Sequence, residues 1–161
     1  MDEPKPRKKI TDEKVALTKA EHYCAYQERS QQEVRDKLYE WGLYPDAVER
    51  VITQLVETNF LNELRFATAY ARGKMNLKHW GKGKIKQGLK FKRVSEPLIK
   101  KALLSLDYDD YLEILKKVIA KKTRETTEKD TFKRDYKVTQ YALGRGFEYD
   151  LILSVMKNSD L

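Results

Sequence analysis

The chain repeats itself, and this constrains its fold more than any other feature. Displaced by 51 positions, Val34, Leu38, Leu43, Val48, Ile52 and Leu55 fall on Ile85, Leu89, Val94, Ile99, Leu103 and Leu106. A further displacement of 53 carries Ile85, Leu89, Val94, Ile99 and Leu103 onto Val138, Ala142, Phe147, Ile152 and Met156, with Gly146 matching Gly42. Every pair is apolar, so the copies share one buried pattern, and a period of this size marks a tandem array of one supersecondary unit. Within each copy the apolar positions recur at three and four residues, the spacing of a helix with one buried face. The reading is an all-α protein: three tandem three-helix, helix-turn-helix-like repeats in an elongated, curved array. A unit of about 50 residues is marginal as an independent core, so neighbouring units are expected to share buried surface.

The boundaries follow from local signals. Residues 1–10, MDEPKPRKKI, have two prolines, four basic residues and no apolar period, and read as a flexible basic arm. Repeat 1 covers 11–60. Asp12 and Glu13 sit where a helix start favours acids, and Ala16, Ala20, Tyr23 and Cys24 form its first stripe. Ser30 and Glu33 match a capping box, Gly42 suits a left-handed helix end, and Pro45 suits a first helical position. Repeat 2 covers 61–107, with Asn62 as an N-cap, Phe66, Ala67, Tyr70 and Ala71 as a stripe, a second helix over 83–91, and a third starting at Ser95-Glu-Pro97. Repeat 3 covers 108–161. Its stripe is Leu112, Leu115 and Ile119, followed by a polar connection through TRETTEKDTFKRD, a helix over 136–143 and a last helix carrying Ile152, Val155 and Met156.

Charge singles out the middle repeat. Between Ala71 and Lys101 there are eleven basic residues and one acid, Glu96, a local net charge of +10, whereas the whole chain carries +8. The remainder is therefore slightly acidic, and the basic character belongs to one segment. Lys82, Lys86 and Lys90 stack at successive fourth residues beside the apolar face of Ile85 and Leu89, an arrangement that repels itself unless a polyanion meets it. The candidate partner- and DNA-binding residues are Lys74, Lys78, Lys82, Lys84, Lys86, Lys90, Lys92, Arg93, Lys100 and Lys101. His79, Trp80 and Phe91 share this window and could stack on bases, although Phe91 reads better as core.

Catalytic patterns are not found. Gly81-Lys-Gly-Lys84 lacks the length and the Lys-Ser or Lys-Thr ending of a phosphate loop. His22 and Cys24, two apart on a helix, face different ways, and His79 has no ligand-type neighbour, so no metal or other cofactor is expected. Asp107, Asp109 and Asp110 lie where a helix begins and read as capping acids. One cysteine allows no internal disulfide. No run of about 18 apolar residues is present and the N-terminus lacks a signal-peptide core, which leads to the expectation of a cytoplasmic monomer with no membrane contact.

Taken together, Arg29-Ser30 with Glu33, Val34, Leu38 and Gly42, then Asn62 with Arg65-Phe66-Ala67, then Lys137-Val138 with Leu143 and Arg145-Gly146-Phe147, resemble the three repeats of the RecX family over roughly residues 16–156. The resemblance implies a non-enzymatic regulator of the RecA recombinase that binds in the groove of the RecA filament on DNA. It also implies that filament growth, ATP hydrolysis and coprotease activity are limited, within DNA repair, recombination and the SOS response. Two positions depart from the family pattern: Asn62-Glu63 stands where paired aspartates are usual, and Lys92-Arg93-Val94 stands where a Lys-Gly-Ile step usually ends the second helix of the middle repeat. The competing expectation is a stand-alone nucleic-acid-binding module that needs no recombinase and places a helix in a groove. Tight, sequence-selective DNA binding without a recombinase is expected of that module, whereas the regulator is expected to contact single- or double-stranded DNA only weakly and without selectivity, as a +10 segment attracts any polyanion.

Overall fold

The computed structural model describes residue 3 and residues 9–158, so most of the expected basic arm (1–2 and 4–8) lies outside the described residues. Among the described residues there are nine helices and no strand: α1 (Glu13–Tyr26), α2 (Gln31–Trp41), α3 (Pro45–Glu57), α4 (Glu63–Lys78), α5 (Lys82–Phe91), α6 (Glu96–Leu104), α7 (Tyr108–Glu125), α8 (Thr131–Gly144) and α9 (Tyr149–Asn158). The fold is all-α and built of three-helix repeats. Packing divides the chain into two compact units, Met1–Phe66 and Ala67–Leu161, with the division falling inside α4.

The first unit is closed by local chemistry. Asp12 accepts the amides of Lys14 and Val15 at the start of α1, and Ser30, fully buried, accepts the amide of Glu33 at 3.0 Å at the start of α2. Gly42 takes φ 98° and, with Leu43, returns its amides to Tyr39 and Leu38, so α2 ends in a left-handed cap. Pro45 opens α3. Ala16, Ala20 and Cys24 of α1 then meet Val34 and Leu38 of α2 and Val48, Val51, Ile52 and Leu55 of α3 in one core. Ile10 joins that core and donates its amide to the Trp41 carbonyl, so the last residue of the expected arm is docked. Arg65 ties the segment after α3 down, donating to Glu28 and to the Asn59 and Phe60 carbonyls.

The repeat register is met by burial. Val34, Ile85 and Val138 are equivalent and buried, as are Leu38, Leu89 and Ala142; Leu43, Val94 and Phe147; and Val48, Ile99 and Ile152. Ile52 is buried too, although its equivalents Leu103 and Met156 are only partly so, and losing a core side chain such as this one by Ile52→Ala costs roughly 2 to 5 kcal/mol.

In the second unit, repeats 2 and 3 are locked backbone to backbone. The amide of Gly81 donates to the Arg145 carbonyl at 2.7 Å, that of Gly83 to the Gly146 carbonyl at 2.9 Å, and that of Lys82 to the Tyr111 hydroxyl at 3.0 Å. The Tyr111 hydroxyl in turn donates to Glu148, and burial raises its pKa well above the usual value. A Cβ on Gly81 would lie 2.3 Å from the Gly146 carbonyl carbon, so only glycine permits this approach. Arg145 also reaches the Lys78 carbonyl at the end of α4.

One expectation of local structure is corrected here. TRETTEKDTFKRD is not one long connection: α7 runs to Glu125 and α8 starts at Thr131, leaving only 126–130 between them, and Asp130 accepts the Lys133 amide as the cap of α8. The start of α6 is as expected, with Ser95 at the N-cap and Pro97 in the first turn, although the Ser95 side chain makes no capping bond.

Candidate partner-binding face

All ten predicted binding residues belong to the second unit, and its helices sort them into groups. At 3.6 residues per turn, Lys84 lies roughly 200° round α5 from Lys82, so the lysines of this helix cannot share one face. Ile85 and Leu89 are fully buried and set the inner side. Lys82, Lys86 and Lys90 run along one flank, as expected; Lys84 runs along the other.

The Lys84 flank faces the end of α4. The Nζ atoms of Lys74 and Lys84 each lie 4.8 Å from the Trp80 ring centre, and Lys74 is also 5.4 Å from that of Tyr70. These are cation–π distances, and they hold two lysines at a half-buried tryptophan. Lys78 is exposed in the last turn of α4. Phe91, read above as better suited to the core, is instead 85 % exposed. It is two residues past Leu89, which turns it outward, to the same side as Lys84.

The other flank faces α6. Glu96, the acid of the basic window, bridges Lys90 at 3.0 Å and Lys86 at 3.8 Å. The Lys90 hydrogen bond holds the Glu96 carboxyl below its usual range. The stacked repulsion inferred from the sequence is therefore partly offset by an acid from the next helix. The Nζ of Lys82 lies 5.2 Å from the Tyr111 ring centre, which anchors that end of the row. Between α5 and α6 lies a groove of about 640 Å³ lined by Lys82, Lys86, Glu96, Pro97, Ile99, Lys100, Leu103 and Leu104. Lys100 and Lys101 are exposed along α6, so Lys100 joins the groove and Lys101 lies outside its lining.

Lys92 and Arg93 form the turn after α5. Arg93 takes φ 60°, donates its amide to Lys90, and is followed by Val94 donating to Leu89, the same cap that Gly42 and Gly146 make in the other repeats. It thus lies past the end of the Lys82, Lys86 and Lys90 row, and fills the glycine position of the turn with a non-glycine residue. The groove leucine, Leu104, went unmarked in the sequence because it falls off the Ile99, Ala102, Leu103 and Leu106 stripe; that offset is the one signal that would have shown it as exposed.

The remaining polar groups singled out in the sequence do structural work. Ser30, Asp107 and Asn62 cap helices, with Asp107 accepting the Asp110 amide and Asn62 that of Arg65. Glu63, beside Asn62, accepts the Gln31 amide. The Gly81 and Gly83 amides are spent on repeat 3, so Gly81-Lys-Gly-Lys84 is a packing joint and not a phosphate cradle. Among the described residues no group of three His, Cys, Asp or Glu side chains could hold a metal ion, and no helix is long and apolar enough to cross a membrane.

Three family descriptions match the chain in order: "RecX, first three-helix domain" over residues 16–55, "RecX, second three-helix domain" over 62–103, and "RecX, third three-helix domain" over 109–156. The chain belongs to the RecX family. It is 32 % identical over 131 residues to the protein named Regulatory protein RecX of Clostridium perfringens (strain 13 / Type A), covering 80 % of this chain and 61 % of that one. To the Regulatory protein RecX of Clostridioides difficile (strain 630) it is 31 % identical over 153 residues, covering 92 % and 71 %. The crystal structure of RecX from Lactobacillus salivarius superposes with a TM-score of 0.84 at 25 % identity, covering 92 % of this chain and 96 % of that chain. The chain spans about three fifths of the length of the first curated RecX relatives it matches. Against the RecX pattern, both departures keep their local geometry: Asn62 still caps α4, and Arg93 still makes the left-handed turn.

Proposed function

We propose that this RecX-family chain regulates the RecA recombinase by binding the RecA nucleoprotein filament, limiting its growth, its DNA-dependent ATP hydrolysis and its coprotease activity. The observation that carries this reading is the ordered match to all three RecX domains. The second unit's lysines support it, since a filament wrapped on DNA is a polyanion and the basic window is confined to that unit. In this reading the protein performs no chemistry of its own and acts in the cytoplasm as a monomer. Its contacts with DNA are weak and unselective, made through the ten basic residues of α4, α5 and α6 and the turn after α5.

The test is DNA-dependent ATP hydrolysis by the recombinase of the same organism, titrated with this protein at two salt concentrations. Inhibition at substoichiometric ratios, weakened by salt, is expected. No inhibition, together with tight and sequence-selective binding to bare DNA, would move the function to an independent nucleic-acid binder.

A further inference from the structure

The α5–α6 groove joins two features that a phosphate-binding surface does not need together. Its floor is apolar, built from Ile99 and Leu103, and its wall carries Leu104, which is 71 % exposed. Its rim is cationic, with Lys82, Lys86 and Lys100. One exposed leucine on a surface means little. A leucine opening into a concave groove edged by three lysines has a chemical complement: a segment with an apolar anchor for the floor and carboxylates for the rim. A DNA backbone satisfies the lysines and leaves the leucines uncovered, whereas an amphipathic acidic helix satisfies both.

Glu96 supports the same assignment. It stands on the rim with its side chain 62 % exposed, yet it holds Lys90 at 3.0 Å and Lys86 at 3.8 Å. Its carboxylate occupies the cations that a partner's carboxylate would take. Exposed pairs of this kind are weak, so exchange for a partner's acid is easy. Lys82 is fixed independently, its amide bonded to the Tyr111 hydroxyl and its Nζ over that ring, so one end of the rim is preset.

We infer that the α5–α6 groove of the second unit is a docking site for an acidic, leucine-bearing helical segment of a protein partner, with Glu96 holding the lysines until that segment displaces it. The inference rests on the regulatory reading above and names the chemistry of the protein contact within it.

The test uses the full chain and a fluorescein-labelled peptide of Leu and Glu, spaced to form an amphipathic acidic helix, read by fluorescence anisotropy at low salt. Saturable binding is expected. Leu104→Asp weakens it by about tenfold or more, the scale of one lost leucine burial, and a peptide with every Leu replaced by Gln is weakened similarly. Glu96→Gln tightens binding several-fold, and a thymidine oligonucleotide of matching charge does not displace the peptide. Leu104 is exposed, so circular dichroism should show its variant folded. The inference is overturned if the peptide does not bind, if Leu104→Asp or the leucine-free peptide binds as well as the originals, or if the oligonucleotide displaces the peptide at equal concentration, which would make the groove a phosphate surface. No recombinase is present, so failure here leaves the ATPase reading standing, and success here alongside uninhibited ATPase would keep the groove and remove the recombinase.

Discussion

Arg93 gives the sharpest test of the repeat geometry. Three equivalent turns close the second helix of each repeat, and they carry Gly42 at φ 98°, Arg93 at φ 60° and Gly146 at φ 99°. An L-residue in this region pays about 1–2 kcal/mol that glycine does not. Glycine gives part of this back through the freedom it loses on folding, roughly 0.5–1 kcal/mol. Arg93→Gly should therefore be more stable than Arg93→Ala by about 0.5–1 kcal/mol; both variants lose whatever the guanidinium contributes, so the difference isolates the backbone. In a unit of this size that is a rise of roughly 2–8 °C in Tm. The chain has two tryptophans, Trp41 in the first unit and Trp80 in the second, so thermal unfolding followed by fluorescence in a Trp41→Phe background reports the second unit alone. An Arg93→Gly variant no more stable than Arg93→Ala would refute the left-handed turn.

Gly81→Ala should destabilise the second unit by at least about 1–3 kcal/mol, because its Cβ would strike backbone; Gly73→Ala, inside α4 with nothing within 4 Å of its Cβ, should stabilise by about 0.5–1 kcal/mol, both read by denaturant unfolding. Burial pushes the Cys24 thiol up to about 11 from 9.0, so alkylation at pH 8 should be slow in the native protein and fast in denaturant. The sign follows: the folded state holds the thiol proton more tightly, so this contribution to first-unit stability is full below 9.0 and lost as pH rises through about 11. Charge reversal at Lys82, Lys86 and Lys90 should weaken recombinase inhibition and its salt dependence while leaving helicity unchanged by circular dichroism. Undiminished inhibition would move the binding face elsewhere.

What could be read from the sequence was what acts over a few residues or repeats along the chain. The caps at Ser30, Asn62 and Asp107 each join a side chain to the amide three residues on, and Gly42 and Pro45 are backbone choices, so the residue type alone announces them. The common core was legible because three copies of one pattern reinforce each other. TRETTEKDTFKRD misled because the ends of α7 and α8 there bury little and so show no apolar period; the Asp130 cap was the signal to weigh instead. Phe91 was misjudged on residue type, although its place two residues past Leu89 turns it to solvent. The split of the lysines between two flanks of α5 followed from helix geometry, but the pairing of one flank with Glu96 and of the other with Trp80 depends on how α4, α5 and α6 pack. Likewise, Gly81 and Gly83 meet Gly146 across more than sixty residues of chain, and no local pattern announces that contact.

The three turns also show why glycine was replaceable at only one of them. A Cβ on Gly42 would come within 3.0 Å of the Lys9 side chain, and one on Gly146 within 2.5 Å of the Lys84 amide nitrogen, so both are held by neighbours as well as by φ. Position 93 is exposed, so a side chain there can turn to solvent while the backbone carries the cost of the positive φ. The residue that pays it is an arginine, in the one repeat where the basic charge is concentrated. If that strain persists because a partner uses the guanidinium, Arg93→Gly should raise stability and lower inhibition in the same protein. A variant that gains stability at full inhibitory potency would separate the turn from the binding face and confine the latter to the helical lysines.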